Sequence, residues 1–181
     1  MRRFIENRDG GTAIEMSLMA LMMMLLTGGA IEAGYAYHQH GSAQHAVRHA
    51  ARLAALSDPV AHAIEGNPTA FDVQCEARAQ SCAQGSFDRD AFNRIFYGAD
   101  NDGTCARTKA DRRGLCDVFT GASTEDVIIR YRRERTGDMP SVTVTLRERP
   151  MQTVVMGAFL PDRFKTLPAV SATLTGGDLN G

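Results

Sequence analysis

His45 and His49 stand four residues apart, the spacing that places two imidazoles on one helix face for a metal ion. His38 lies seven before His45 and can share that face. No glutamate sits beside His45 as in an HExxH zinc helix, and no third ligand accompanies the pair, so solvated or interface histidines are the expectation. A second group, Cys75, Cys82, Cys105 and Cys116, contains no CxxC pair, which argues against zinc. An even number of cysteines in a small exported domain reads as two disulfides. Four cysteines permit three connectivities; Cys75–Cys82 and Cys105–Cys116 are favoured because both close short local loops. Asp100-Asn101-Asp102-Gly103 resembles part of a calcium loop but lacks the first acidic ligand and the closing glutamate, so a plain turn is expected. Arg130, Arg132, Arg133 and Arg135 form a basic run. It suits an anionic polymer, or simply a solvated strand that resists edge pairing. There is no GxSxG, no P-loop and no paired catalytic motif. The chain is therefore expected to be no enzyme, with no cofactor and no metal.

Those residues need elements to position them. Net charge is -1 over 181 residues, so no global basic field argues for nucleic acid. Hydrophobic residues make up an ordinary 44%, but they are unevenly distributed. Methionines and leucines crowd between Met16 and Leu26, while the remainder is polar and Arg-rich. The contrast implies an anchor plus a soluble domain. The run Ala13–Ala36 would make a helix of roughly 36 Å, more than a hydrocarbon core of about 30 Å. Arg2, Arg3 and Arg8 precede it and should stay cytoplasmic, with the C-terminal domain outside. Two acids interrupt the span. Glu32 can sit at the outer interface. Glu15 lies just inside the apolar run, where a carboxylate costs roughly 2.5–3.5 kcal/mol on insertion scales. A simple anchor has no need of it.

Gly10-Gly11-Thr12-Ala13-Ile14-Glu15-Met16 resembles a type IV prepilin processing site, cut by a membrane aspartyl peptidase after a glycine, with a glutamate fifth in the mature chain. A cut after Gly10 makes Gly11 the new N-terminus and Glu15 that fifth residue. The Arg-rich head, the G-x-x-x-x-E step, the apolar helix and the alanine-rich segment Ala46–Ala55 resemble the TadE-like family of minor pseudopilins of Flp-type (tight adherence) pilus systems. The resemblance covers Arg2 to about Leu56; Met16 departs from the Phe or Tyr usual after the glutamate. It implies a pilin-like α+β fold, processing at Gly10/Gly11, and an assembly role for Glu15. It further implies as partners the prepilin peptidase, other pseudopilins, the major Flp-type pilin and the inner-membrane assembly platform. A physical reason can be given for the motif. Cutting creates a cationic amine at Gly11 beside apolar surface, and Glu15 of a neighbouring helix can neutralise it, rewarding one stagger of side-by-side helices. Two other readings of the N-terminus compete: signal-peptidase cleavage at Gly34-Tyr35-Ala36, and an uncut signal anchor.

Beyond the span, Ala43, Ala46, Val47, Ala50 and Ala54 recur at helical spacing, with Arg48 and Arg52 off that stripe. One helix of about 45 residues is expected, with a weak point at Gly41 and a stop at Ser57-Asp58-Pro59. Val60–Gly121 is poorly patterned; short helices are expected at Ala61–Glu65 and Arg89–Phe96, and a solvated basic loop at Arg107–Arg113. Glu125–Glu134 reads as a strand. Val142, Val144 and Leu146 form one face of the next, joined to it through Thr136–Pro140 as a hairpin. Pro150 should end that second strand, Met151–Leu160 is an apolar linker or short helix, and Val170, Ala172 and Leu174 mark a third strand. The expected organisation is a leader at 1–10, a transmembrane helix at 11–36, its extramembrane continuation at 37–58, and a periplasmic or extracellular α+β domain at 59–181. The reading is a bacterial inner-membrane, single-pass minor pseudopilin. Its rival is a permanently anchored envelope binding module using the Arg130–Arg135 face.

Overall fold

The computed structural model describes residues 9–64, 66, 69–99, 103–105, 113–154, 157, 161 and 165–175. Residues 1–8 of the expected leader at 1–10, the acidic part of the Gly98–Gly103 loop and most of the Arg107–Arg113 loop lie outside them. Contacts divide the chain into two compact units, Met1–His38 with Met151–Lys165, and Gln39–Pro150 with Thr166–Gly181.

Helix α1 runs over Asp9–Leu56, 48 residues without a break, so Gly41 does not interrupt it. It ends where expected: Pro59 cannot continue a helix, and the Ser57 N–H closes the last turn on the Leu53 carbonyl at 2.9 Å. In the first unit, every side chain from residue 11 to residue 27 is exposed. This helix is long and apolar enough to cross a membrane. Its hydroxyls are satisfied internally: Ser17 Oγ donates to the Ile14 carbonyl at 2.8 Å and Thr27 Oγ1 to that of Met23 at 2.7 Å.

The second unit is α+β. Strands β1 (Phe71–Glu76), β2 (Ser81–Cys82), β3 (Val127–Arg133), β4 (Ser141–Leu146) and β7 (Val170–Thr175) form one sheet in the order β2-β1-β3-β4-β7. All its pairings are antiparallel. Val142, Val144 and Leu146 turn inward as their alternation required, with Val127, Ile129 and Tyr131 beside them. The small residues Ala43, Ala46, Val47, Ala50, Ala51 and Ala54 of α1 join the same buried core. Helices α2 (Arg89–Tyr97) and α3 (Leu115–Val118) add Phe92, Ile95, Phe96 and Leu115. Asp88 caps α2, accepting from the N–H groups of Asp90 at 2.8 Å and Ala91 at 3.0 Å.

Several expectations are corrected. The strand expected at Glu125–Glu134 begins only at Val127, because Thr124–Asp126 is a 3-10 turn headed by Ser123. The second strand stops at Leu146, not at Pro150. Pro150 instead belongs to β5 (Arg149–Pro150), which pairs with β6 (Thr166–Leu167). Met151–Val154 is not helical. Strand β1, which the sequence reading lacked, supplies the partner of β3 in full register from Phe71↔Arg133 to Glu76↔Ile128.

Candidate functional site

Glu15 is the only charged side chain between Gly11 and Ile31. It stands exposed on α1, one helical turn above Gly11 and on the same face. Nothing approaches Gly11 within 4 Å of where a side chain would begin. Around Glu15, Ile14, Met16, Leu18 and Met19 are all more than half exposed. An apolar patch this extensive requires a cover, either lipid or other helices. Within it Glu15 is the one carboxylate.

Glu32, expected at an interface, is instead 5% exposed. Both carboxylate oxygens lie 3.1 Å from the Val154 N–H, which donates to them. One turn on, the Tyr35 hydroxyl donates to Gln152 Oε1 at 3.3 Å. The acid is therefore neutralised in hydrogen-bonding terms by a segment returning from far along the chain. Only the apolar character of Met151–Leu160 hinted at that segment.

In the second unit the basic run is largely committed. Arg130 Nε donates to Asp72 Oδ1 at 2.7 Å, the fork geometry that suits guanidinium and carboxylate. That hydrogen bond from Arg130 holds the Asp72 carboxyl below its usual range, opposed by partial desolvation and helped by the charges of Arg130 and Arg132. The same bond raises Arg130. Arg132 lies 3.3 Å from Glu134, and Arg147 2.7 Å from Glu76. The Arg133 guanidinium covers the Phe71 ring at 5.0 Å from its centre. The strand face that could have offered arginines to an anionic polymer thus carries its own acids, and β3 is not the edge strand the basic run suggested, since β1 and β4 pair with it on either side.

The cysteines pair Cys75–Cys82, directly across β1 and β2, and Cys105–Cys116, tying residue 105 to α3. No free cysteine remains. His49 Nε2 lies 2.7 Å from the Arg113 carbonyl and His45 stays exposed, so the two do not converge. Among the described residues, no group of three or more His, Cys, Asp or Glu is placed to hold a metal ion. Tyr131, buried in the sheet, has its phenol pushed up to about 12 by burial, with the hydrogen bond from the Val60 N–H working the other way.

Comparison with known proteins places the N-terminal segment. The family model described as TadE-like protein matches residues 10–52. No curated protein and no solved structure matches the chain. The match begins at the glycine of the Gly10–Glu15 step and runs through the exposed apolar half of α1 into the alanine-rich stripe packed in the core. Over that segment the chain is similar to the TadE-like family, which is consistent with a TadE-like protein of the Tad/Flp pilus systems.

Proposed function

We propose that this chain is a minor pseudopilin that takes part in assembling or priming a Tad/Flp-type pilus, acting through α1 and not by catalysis. One observation carries the reading: the family match starts at Gly10 and covers a helix whose residues 11–27 are all exposed, with Glu15 as the sole charge in that stretch. Before assembly the helix spans the inner membrane, N-terminus inward, because Arg2, Arg3 and Arg8 precede it. A prepilin peptidase cuts between Gly10 and Gly11. The new amine at Gly11 then meets Glu15 of a neighbouring helix, from another pseudopilin or the major pilin. In a low-dielectric setting that pairing fixes register more than it adds net stability. The second unit stays outside the cytoplasm, and the assembly platform of the inner membrane would be a further partner.

The rival reading, an anchored module binding anions through Arg130–Arg135, loses force because Asp72 and Glu134 already occupy Arg130 and Arg132. Two variants separate the readings. Glu15→Ala should leave insertion and disulfides intact, since removing an acid from an apolar helix helps insertion by a few kcal/mol at most. It should abolish cross-linking to partner helices and impair piliation. Normal piliation with Glu15→Ala, together with loss of function on charge reversal at Arg130 and Arg132, favours the anchored module.

A further inference from the structure

We infer that Val154, at the end of the Met151–Val154 segment, forms a second membrane contact, seated in the outer interfacial layer of the bilayer and held there by Glu32. The inference rests on the reading of α1 as a membrane span. Glu32 lies 21 residues above Gly11, about 30 Å of helix, which is the thickness of the hydrocarbon core. It therefore sits at headgroup level when Gly11 is at the inner face. Tyr35 and Tyr37 follow at once, and tyrosine is favoured at that depth because its ring is apolar and its hydroxyl polar. Tyr37 is almost fully open, while Tyr35 is tied to Gln152 of the same segment.

The face of α1 that carries these residues changes character at this level. From residue 11 to residue 27 all side chains are exposed; beyond them Gly28 and Glu32 are buried and Tyr35 is half-buried, at helical spacing on one side. The segment places its backbone against that face, with the Val154 N–H on the Glu32 carboxylate. The Val154 side chain is 59% exposed although its own N–H is held on Glu32. An exposed valine beside a buried carboxylate gains nothing from water. It continues the exposed apolar surface of the helix, whose neighbouring Ile31 is 55% exposed, so lipid is the occupant that both surfaces share. Glu32 then has a positioning role. Its charge would oppose burial at the interface if bare, and the segment satisfies it.

The chain has no tryptophan, so a single introduced one reports cleanly. Val154→Trp, Leu25→Trp in mid-span and Ala79→Trp in an exposed turn are each reconstituted as full chains. The vesicles contain phosphatidylethanolamine and phosphatidylglycerol brominated near the headgroup end of the acyl chains. Val154→Trp should emit to the blue of Ala79→Trp and be quenched by bromine, as Leu25→Trp is. Adding Glu32→Ala should return its emission to that of Ala79→Trp, whereas Glu32→Gln, which keeps an acceptor, should not. Water-like emission from Val154→Trp overturns the inference, and so does blue emission without quenching, which means a protein partner covers the segment. Emission unmoved by Glu32→Ala overturns the role of Glu32. If Leu25→Trp is itself unquenched, the membrane span fails first, and the inference with it.

Discussion

The phenol oxygen of Tyr131 accepts a hydrogen bond from the backbone N–H of Val60 at 3.2 Å, tying the residue that follows the Asp58-Pro59 stop to the middle strand of the sheet. Both groups are buried, so water cannot replace the contact. Tyr131→Phe keeps the ring and leaves the Val60 N–H without its acceptor. The expected cost is about 1–3 kcal/mol in a urea melt of the detergent-solubilised chain. A loss indistinguishable from zero would mean that Val60 finds another acceptor.

The same tyrosine sets an alkaline limit. Its hydroxyl titrates near 10.0 when unfolded and about 12 when folded, because burial disfavours the phenolate. The contribution is fully present below pH 10 and is lost as pH rises towards 12, by on the order of 2–3 kcal/mol. Melts between pH 9 and pH 12 should show that decline in the parent chain and a shallower one in Tyr131→Phe.

The Asp72–Arg130 pair acts in the opposite direction and weakly. The Asp72 carboxyl is held low, so its contribution is present above the unfolded value and fades as pH falls through the folded one, below 3.8. Both side chains are nearly half exposed, so solvent and salt screen them. Asp72→Asn should therefore change stability little at neutral pH. It should free Arg130, and binding of an anionic polymer such as heparin should rise. Unchanged binding would show that this face does not attract polyanions even when uncapped.

How far the sequence could be read follows from how local each signal is. The apolar run, the alanine stripe from Ala43 to Ala54 and the Ser57-Asp58-Pro59 stop each lie within a few turns of chain, and α1 emerged nearly whole. Strands β4 and β7 alternate cleanly and emerged too. Strand β1 alternates as well, Phe71, Val73 and Cys75 against Asp72, Gln74 and Glu76. Its one β-branched residue is Val73, however, and what makes it a strand is pairing with β3 more than 50 residues away. The Asp72–Arg130 ion pair depends on that register, so the basic run looked more available than it is. The environment of Glu32 could not be read locally, because its partner Val154 is 122 residues distant. Asp117, whose carboxylate accepts from the Gly114 N–H at 2.9 Å at the head of α3, gave no signal for the same reason: a four-residue helix has no period to read.

That helix head is tightly built. A Cβ on Gly114 would run into the backbone of Phe96, Tyr97 and Gly98. Gly114→Ala should destabilise by about 1–3 kcal/mol, since the obstruction is main chain and cannot swing aside. Removing the Cys105–Cys116 bridge beside it should cost about 2–3 kcal/mol, because the unfolded chain is no longer closed into a loop and gains conformational entropy. Thermal melts of the two variants test both, and peptide mapping without reduction tests the pairing itself.

If a prepilin peptidase acts on this chain, α1 begins its working life at Gly11, with Glu15 as its fifth residue. The measurement closest to it is the intact mass and N-terminal peptide of protein extracted from membranes of cells that carry a prepilin peptidase. The chain should start at Gly11, with both disulfides closed. A chain that retains Met1, or one that starts at Tyr37 after cleavage behind Ala36, would contradict it.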